Sequence, residues 1–548
     1  MNTKRIAFSL LLIAAFLLSA CAPRAAEPAN EPAREENAAP AEEPAVEELI
    51  EEAEEAPSSD YSAEGEILGQ SASSEAPSSP SGYQPQNRGD DEPYDMFFED
   101  YGTNPIIDTE DDHLSTFALD VDTGAYTVMR NYLNEGHLPP SDSVRVEEYV
   151  NYFEQGYEQP PARQAFAIHL DGAPSPFAQT ERYEMLRVGI QGYEVDNWDR
   201  KEVSLTFVID VSGSMGMDNR LGLVKESLGL LVDELSRGDY ISIVVYGSDA
   251  RVVLDPTPAT DVDEILSAIY SLRTEGSTNA EAGLKLGYKM ALRAYNPEGV
   301  NRVILCSDGV ANVGLVEADA ILDEVRGYVE EGITLATFGF GMDNYNDTLM
   351  EQLADNGDGF YAYVDDLDEA ERLFVDDLTG TLQTIALDAK VQVDFNPDVV
   401  SRYRLVGYEN RDVADEDFRD NSVDAGEIGA GHSVTALYEV KFYREAYGRV
   451  ATVHLRWEDP DTRQVVEIEK DIYAGDFSRD FHDADPYFQR AVVVAEFAEI
   501  LGESYWAQDS DLDEVYDEAR WLEEYFPRED DMEEFVDLVK QARREMRW

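Results

Sequence analysis

The chain has 548 residues, which is enough for roughly two to four domains with cores of their own. It carries 115 acidic and 42 basic residues, and the net charge of −73 argues against a folded surface that attracts nucleic acid or anionic lipid. Such a surface favours cations or basic partners. However, scarce lysine beside abundant acid is equally typical of proteins adapted to high salt.

The N-terminal residues have the pattern of an export signal. Lys4 and Arg5 precede the apolar run Ile6–Leu18, which is too short to span a bilayer comfortably and is followed by small residues. We therefore predict a secretory signal peptide over residues 1–20. The junction Leu18-Ser19-Ala20-Cys21 resembles a bacterial lipobox, and this resemblance implies that Cys21 is lipidated and becomes the mature N-terminus. A plain signal peptide, or a short anchor helix with an incidental cysteine, is the alternative.

Lipid on Cys21 would anchor the protein to a membrane of the cell envelope. We find no other apolar stretch long enough to cross a bilayer, so we expect the rest of the chain to be exported and tethered. Ala22 gives no Asp retention signal, which favours the outer membrane if the cell has two. Cys306 then has no partner within the chain. It ends the apolar run Val303-Ile304-Leu305, so we predict a small buried hydrophobe and not a reactive thiol.

An acidic spacer gives way to a folded unit near residue 93. Residues 21–92 are rich in Ala, Pro, Glu and Ser, so they cannot bury enough apolar surface to offset the entropy of ordering, and we predict disorder. Residues 93–163 are predicted to form a small, mostly helical N-terminal unit. Its predicted elements are a strand at Ser115–Val121 and helices at Tyr126–Asn134 and Arg145–Phe153, with the Leu138-Pro139-Pro140 break between the helices.

Two β-rich stretches flank a region of different character. Alternating apolar residues predict strands in residues 164–201 and again in 384–478, at Phe166–Leu170, Leu186–Ile190, Val391–Val393, Thr435–Tyr443, Val450–Trp457 and Val465–Ile472. We infer one β-sandwich built from both stretches, with residues 202–383 inserted between them. Residues 479–548 have helical periodicity, as at Phe488, Val492 and Phe497, and are predicted to form a helical cap on the sandwich.

The inserted region alternates between strands and helices. Apolar runs typical of buried parallel strands lie at Leu205–Ile209, Ile241–Tyr246, Val303–Cys306 and Ile333–Phe338. Helical patterns lie between or after them, at Leu221–Leu235, Ala280–Ala294, Ala318–Val329 and Leu349–Leu353. This alternation predicts an α/β fold, a doubly wound parallel sheet that is covered by helices on both faces.

Oxygen-bearing side chains follow the first strand of this region. Asp210, Ser212 and Ser214 come directly after the predicted strand, and Gly213 between the serines is expected to let the loop turn sharply. Ligands of doubly wound sheets bind beyond the carboxyl ends of the strands. A carboxylate and two hydroxyls, without a nearby His or Cys, suit Mg²⁺, Mn²⁺ or Ca²⁺ better than zinc or copper.

Two further segments are expected at the same edge of the sheet. Thr278 opens a helix, and Asp308 follows the strand Val303–Cys306. Taken singly, Ser212 and Thr278 could be helix N-caps, and Asp308 with Gly309 could be a turn. The order Asp-x-Ser-x-Ser, then Thr, then Asp resembles the metal-ion-dependent adhesion site of the von Willebrand factor type A (VWA) family.

This resemblance implies a role for each residue. Ser212, Ser214 and Thr278 would supply hydroxyl oxygens to a divalent cation, with Mg²⁺ preferred and Mn²⁺ or Ca²⁺ as alternatives. Asp210 and Asp308 would act mainly through water and by orienting the hydroxyls. Few direct protein charges would leave the cation electrophilic, so its open position could take a carboxylate from a protein partner.

Further motifs resemble the bacterial YfbK type of VWA lipoprotein, a Rossmann-like VWA domain with associated segments. They are Asp120-Val121-Asp122-Thr123, Leu138-Pro139-Pro140, Arg145-Val146-Glu147-Glu148, Asn151-Tyr152-Phe153 and the run from Gly341 to Asp347. The resemblance covers most of the chain after the spacer and extends to the helical C-terminal region. It sharpens the expected architecture more than the function, because members of this group have largely undefined roles.

The expected function is a non-enzymatic adhesion or scaffold module. A structural envelope protein whose metal only stabilises the fold, and a metal-dependent hydrolase, are the alternatives. The sequence has no phosphate-binding loop, no Gly-x-Ser-x-Gly elbow and no His-Glu-x-x-His motif among its six histidines. Asp120 and Asp122 could be calcium ligands, but a strand followed by a turn is favoured. The turn-rich run Asp355–Gly359 is a weaker candidate for a second metal, and His454 in an alternating strand is not expected to be a ligand.

Overall fold

The computed structural model describes Met96 and residues 98–177, 183–309, 322, 325–329, 331–341, 345–444 and 446–547. All of them belong to the unit Gln86–Trp548. The predicted signal peptide, Cys21 and almost all of the spacer lie outside the described residues, as does much of the helix predicted at Ala318–Val329. Within the described ranges, no helix combines the length and apolar character that a membrane span requires.

Strands and helices alternate in three blocks along the chain. The strands are β1 (Ile107–Asp108), β2 (Leu114–Ala118), β3 (Phe166–Pro174), β4 (Tyr183–Gly192), β5 (Val203–Asp210), β6 (Tyr240–Tyr246), β7 (Ala250–Pro258), β8 (Val300–Ser307), β9 (Thr334–Gly339), β10 (Tyr361–Tyr363), β11 (Thr384–Phe395), β12 (Val400–Val406), β13 (Gly426–Gly429), β14 (Ser433–Phe442), β15 (Arg449–Glu458) and β16 (Val465–Tyr473). The helices are α1 (Gly124–Asn134), α2 (Val146–Asn151), α3 (Arg220–Glu234), α4 (Val262–Ser271), α5 (Ala280–Arg293), α6 (Asp347–Asp355), α7 (Leu367–Glu371), α8 (Leu378–Leu382), α9 (Pro486–Leu501), α10 (Leu512–Leu522) and α11 (Asp530–Glu545).

The inserted α/β domain is built on a sheet with the strand order β10-β9-β8-β5-β6-β7. All neighbours are parallel except β6 and β7, which are antiparallel. Alternate residues of β5 face opposite sides of the sheet, so Phe207 and Val208 belong to separate hydrophobic cores that cover its two faces. The predicted doubly wound sheet is therefore confirmed, with the predicted strands present as β5, β6, β8 and β9.

Five described strands and helices of this domain were not expected. The edge strand β7, the short strand β10 and helices α4, α7 and α8 have no counterpart in the sequence prediction. Strand β7 contains Pro256 and Pro258, residues that normally argue against a strand, but proline is tolerated on an edge strand because no neighbour needs its missing N–H. The mixed burial along β7 also hides the alternation that marks a strand.

The β-sandwich joins residues from both sides of the α/β domain. One sheet has the order β1-β12-β14-β4-β3, and the other has the order β13-β11-β15-β16 with β2 also paired to β11. The two sheets share one hydrophobic core, which includes Leu186 of β4 and Val391 of β11. Strand β4 precedes the insertion and β14 follows it, yet the two pair along nearly their whole length. The predicted insertion into a sandwich is confirmed.

The N-terminal segment is more tightly integrated than a separate unit would be. Its strands β1 and β2 each extend one sheet of the sandwich. Its helices share a core with the C-terminal helices, where Tyr126 of α1 and Tyr149 of α2 are buried together with Phe497 and Phe535. The C-terminal helices therefore cap the N-terminal helices as well as the sandwich.

A cluster of acidic groups around Arg411 explains the motif that begins at Asp120. Arg411 pairs with Asp120 at 3.0 Å, with Asp122 at 3.4 Å, with Glu351 at 3.1 Å and with Asp355 at 3.0 Å. These contacts join the N-terminal segment, the sandwich and helix α6. Asp120 and Asp122 are thus placed as partners of a guanidinium, which supports the structural interpretation over a calcium site.

Phe535 tests how much stability the shared helical core provides. Its ring is fully buried and meets Phe153 and Phe497 edge-on, with centroid distances of 5.6 and 5.5 Å. Phe535→Ala should lower the free energy of unfolding by about 3–5 kcal/mol, because the lost packing leaves a cavity between the N-terminal and C-terminal helices. Urea unfolding followed by circular dichroism measures this. Tyr447→Ala, at a side chain that is 87% exposed, is the control and should change it by less than about 0.5 kcal/mol. Equal losses in the two variants would contradict a shared core.

Candidate metal centre

The switch in strand order lies between β5 and β8. The chain adds β6 and β7 on one side of β5 and then returns to place β8 on the other side. The two strands are parallel and in register, with Ile209 opposite Cys306. Residues that follow both strands therefore emerge at the same edge, in the crevice where doubly wound sheets bind their ligands.

Asp210 ties the loop after β5 to the end of β8. Its carboxyl group is fully buried, and Oδ1 accepts a hydrogen bond from the backbone N–H of Ser212 at 2.7 Å. Oδ2 accepts a hydrogen bond from the Ser307 hydroxyl at 3.3 Å. Ser307 was not among the predicted site residues, although it directly precedes Asp308.

The two serine hydroxyls of the loop point to the same place. Ser212 Oγ and Ser214 Oγ lie 2.9 Å apart. Gly213 between them has φ −61° and ψ −32°, which any residue can adopt, and an added Cβ would lie 3.8 Å from its closest neighbour, the carbonyl oxygen of Gly276. The expectation that Gly213 is needed for a sharp turn is therefore wrong, because a short 3₁₀ helix beginning at Ser214 provides the turn.

Asp308 completes this group from the β8 side. It is 4% exposed, and a hydrogen bond with Ser214 connects it to the serine loop. Its Oδ2 accepts a hydrogen bond from Nη1 of Arg220, the first residue of α3, at 3.0 Å. Sequence reasoning missed Arg220. The available signal was a basic residue at the start of a helix, where the macrodipole disfavours positive charge unless an acid lies close by.

Thr278 lies on a neighbouring loop that contacts the serine loop. The backbone N–H of Glu275 donates to the carbonyl oxygen of Val211 at 2.5 Å. Gly276 in this loop has φ +79°, and an added Cβ would lie 2.5 Å from Ser248 Oγ, so only glycine fits there. The N-cap of α5 is Asn279, whose Oδ1 accepts a hydrogen bond from Ala282 N–H at 3.1 Å. Thr278 precedes this residue and is therefore not the N-cap of α5. Its side chain is half-buried, and its role as a metal ligand stays a prediction.

Burial shapes the electrostatics of both carboxyl groups. Desolvation raises the pKa of Asp210 to about 6, and the charge of Asp308 adds to this, while hydrogen bonds from Ser212 and Ser307 oppose it. Desolvation also raises the pKa of Asp308, against hydrogen bonds from Ser214 and Arg220. Two desolvated carboxylates beside paired hydroxyls form an all-oxygen donor set that suits a hard divalent cation. The residues therefore fit the predicted ion.

Other candidate sites of the sequence have different surroundings. Cys306 is buried, and burial raises the pKa of its thiol, as expected for a small hydrophobe. His454 lies in β15 with Nδ1 3.5 Å from the Glu469 carboxylate. The turn at 355–359 contributes Asp358 to a group with Asp424 and Glu427, whose carboxylate oxygens lie within 4.8 Å of one another. Acidic groups of this kind are common on protein surfaces without a metal.

A sizeable cavity lies away from the candidate metal centre. It measures about 840 Å³ and is lined by residues of α1, α7 and α11, together with several carboxyl groups. None of the five predicted metal residues lines it. Its guanidinium groups already have partners, since Arg130 pairs with Asp365 at 2.6 Å and Arg372 pairs with Glu369.

The family models that match this chain agree with this architecture. Family models match in three places: von Willebrand factor over residues 92–185, von Willebrand factor type A domain over residues 204–376, and the C-terminal region of the uncharacterized protein YfbK over residues 380–544. The solved structure of a von Willebrand factor type A protein from Catenulispora acidiphila aligns with 68% of this chain and 89% of its own, at 17% identity and a TM-score of 0.41.

Among curated relatives, the uncharacterized protein YfbK of Escherichia coli (strain K12) is 42% identical over 350 residues, which is 63% of this chain and 60% of that protein. The inter-alpha-trypsin inhibitor heavy chain H3 of Homo sapiens is 30% identical over 166 residues, which is 29% of this chain and 18% of that protein. The chain thus spans less than two thirds of the length of either relative.

The inserted sheet, the oxygen cluster at its switch point and the family-model match over residues 204–376 define the class: the chain is a VWA-domain protein. Within that class it belongs to the YfbK type, as the matched C-terminal region and the 42% identity show.

Asp210→Asn separates the metal centre from the fold. The pKa of Asp210 is raised from about 3.9 in an unfolded chain, so its charged form destabilises the metal-free fold above pH 6 and has no such effect below pH 4. Without metal at pH 8, the variant should therefore unfold about 2–6 °C higher than wild type, and this difference should vanish as the pH falls to 4. Added Mg²⁺ should raise the melting temperature of wild type alone. A variant that melts lower, or that still responds to Mg²⁺, would contradict the assignment.

Proposed function

We propose that this protein is a lipid-anchored component of the cell envelope whose VWA domain binds a protein partner through a divalent cation, with Mg²⁺ as the first candidate. The observation that carries the proposal is the cluster of Asp210, Ser212, Ser214 and Asp308 at the switch point of the sheet. Its donors are all oxygens, and the two carboxyl groups are buried where an uncompensated charge is unfavourable.

The hydroxyl and carboxyl groups of this centre have different proposed roles. The hydroxyls of Ser212, Ser214 and Thr278 would hold the cation, which would offer an open position to a carboxylate of the partner. Asp210 fixes the loop through its hydrogen bonds to Ser212 and Ser307. Asp308 accepts a hydrogen bond from the Ser214 hydroxyl and another from the Arg220 guanidinium. Both carboxylates would thus orient the hydroxyls and would not bind the cation directly. The cation would therefore have few negatively charged protein ligands.

A second candidate is a metal that only stabilises the fold. Desolvation of Asp210 favours this alternative, because any cation near a buried carboxylate stabilises the folded state by binding to it. Under this alternative, Mg²⁺ raises the melting temperature but no partner depends on it. Partner capture and melting temperature together therefore distinguish the two functions.

Partner capture should depend on both the metal and the oxygen cluster. Full-length protein in detergent, immobilised and exposed to envelope extract, should retain a partner with Mg²⁺ and lose it with EDTA. Asp210→Ala and Ser212→Ala should each reduce the retained amount at least about tenfold even with Mg²⁺, since each removes a group that forms the centre. Quantitative mass spectrometry of the retained proteins measures this.

Ser271→Ala is the matched control for capture. Ser271 is an exposed serine at the end of α4 in the same domain, and its hydroxyl donates only to the nearby Ala268 carbonyl group. This variant should retain the partner as wild type does. Equal capture by wild type, Asp210→Ala and the EDTA-treated sample would reject the adhesive function.

The lipid anchor is proposed from the lipobox-like junction Leu18-Ser19-Ala20-Cys21. In cells fed radioactive palmitate, wild type should take up label and sediment with membranes. Cys21→Ser should lose the label and the membrane association, because the thiol that would carry the lipid is gone. Cys306→Ser is the control, since Cys306 is buried in the core and should not affect labelling. Retained label in Cys21→Ser would exclude lipidation at this position.

A further inference from the structure

One member of the motif Arg145-Val146-Glu147-Glu148 has a buried oxygen that the fold does not pair. Arg145 and Glu148 pair with each other. Glu147 is 2% exposed, and its Oε2 accepts a hydrogen bond from the backbone N–H of Tyr408 at 2.9 Å. Its other oxygen, Oε1, is buried without a hydrogen-bond partner in the part of the chain that the structure describes. A buried acceptor is costly unless something binds to it.

Glu147 lines a cavity between the N-terminal segment and the sandwich, which we call the N-terminal cavity. It measures about 290 Å³, which is enough for an ion with several water molecules. Residues 99–103, helix α2 and the loop after β12 contribute to its walls. Gly407 in that loop has φ +80°, and an added Cβ would lie 2.6 Å from Glu147 Oε2. Glycine therefore lets the loop lie directly against Glu147.

The same loop brings Glu409 and Asn410 to this cavity. Asn410 Nδ2 donates to Glu351 Oε1 at 2.9 Å, so the amide oxygen Oδ1 points away from that carboxylate. This Oδ1 is also buried and has no hydrogen-bond partner among the described residues. Glu409 is half-buried, and its Oε1 accepts a hydrogen bond from the backbone N–H of Asn104 at 3.2 Å. Glu147, Glu409 and Asn410 are thus each held through one atom, and the other polar atom of each side chain is an oxygen.

The charge at the N-terminal cavity favours a divalent cation. Desolvation raises the pKa of Glu147 to about 8, and the charge of Glu409 adds to this, so two uncompensated carboxylates are unfavourable here. One divalent ion would balance both charges. A buried water molecule could donate to the unpaired oxygens, but it would leave both charges uncompensated.

The arginines near these carboxylates already have acidic partners. Arg145 lines the cavity, and Arg404 acts on Glu409 through its charge. Arg145 pairs with Glu148, Asp347 and Glu351, and Arg404 pairs with Glu439 and Glu499. Neither arginine therefore brings an unpaired positive charge that would repel a cation.

We propose that Glu147, Glu409 and Asn410 form a calcium site that fastens the loop after β12 to helix α2. Ca²⁺ is the expected ion because it accepts carboxylate, amide and water oxygens in irregular geometry, whereas Mg²⁺ requires a nearly ideal octahedron. This site is separate from the candidate metal centre of the VWA domain, and it does not rest on the proposed function.

The experiment measures binding of radioactive Ca²⁺ to full-length protein in detergent by equilibrium dialysis. Every variant carries Asp210→Ala, so that the candidate metal centre does not contribute. This background should bind Ca²⁺ with a dissociation constant below about 1 mM, as extracellular calcium-binding modules do. Adding Glu147→Gln or Glu409→Gln should weaken binding at least about tenfold, because each removes one of the two negative charges that hold the ion. Circular dichroism checks that each variant is folded.

Glu135→Gln is the matched control, because it makes the same change of charge at an exposed residue at the end of α1, outside the cavity. It should bind Ca²⁺ as its background does. The proposal is overturned if the background binds no Ca²⁺, or if Glu147→Gln and Glu409→Gln leave binding unchanged. Equal weakening by Glu135→Gln would also overturn it, since that result indicates diffuse binding to an acidic surface. If Glu147→Gln does not fold, Glu409→Gln at its half-buried position decides alone.

Discussion

The parallel pairing of β5 and β8 is the constraint on which the candidate centre depends. Because Ile209 lies opposite Cys306, Asp210 and Asp308 leave the sheet at the same edge although almost a hundred residues separate them along the chain. Strands β6 and β7 extend the sheet on the other side of β5, which leaves this side of β5 to pair with β8. A shift of the β8 register by one residue would turn the side chain of Ser307 to the opposite face and break its hydrogen bond to Asp210.

Buried charge is a recurring feature of this acidic protein, and arginine is its usual partner. Arg411 forms ion pairs with Asp120, Glu351 and Asp355, and in the same region Arg145 pairs with Asp347 at 2.9 Å. At the candidate metal centre Arg220 plays the same part for Asp308, but Asp210 has no arginine partner among the described residues. This difference makes the neighbourhood of Asp210 the natural place for an added cation.

The sequence predicted the parts of the fold that carry a local signal. Continuous apolar runs revealed β5 and β8, and the spacing of Asp210, Ser212 and Ser214 placed oxygen donors at a strand end. The pairing of Arg220 with Asp308 could not be predicted, because it joins residues 88 positions apart that only the folded sheet brings together. Strand β7 was missed since its prolines read as a loop, and the pairing of β2 with β11 was missed since long-range strand partners leave no pattern in either segment.

Both chain connections between the α/β domain and the sandwich meet at one point. The backbone N–H of Lys201 donates to the side-chain oxygen of Gln383 at 3.0 Å, and Arg302 of β8 donates to the Thr384 hydroxyl at the start of β11. This junction lies at the end of β5 opposite Asp210. A force applied at the metal edge would therefore run lengthwise along the backbone of β5 to this junction. Beyond the junction the force would divide between β4 and β11, which belong to different sheets.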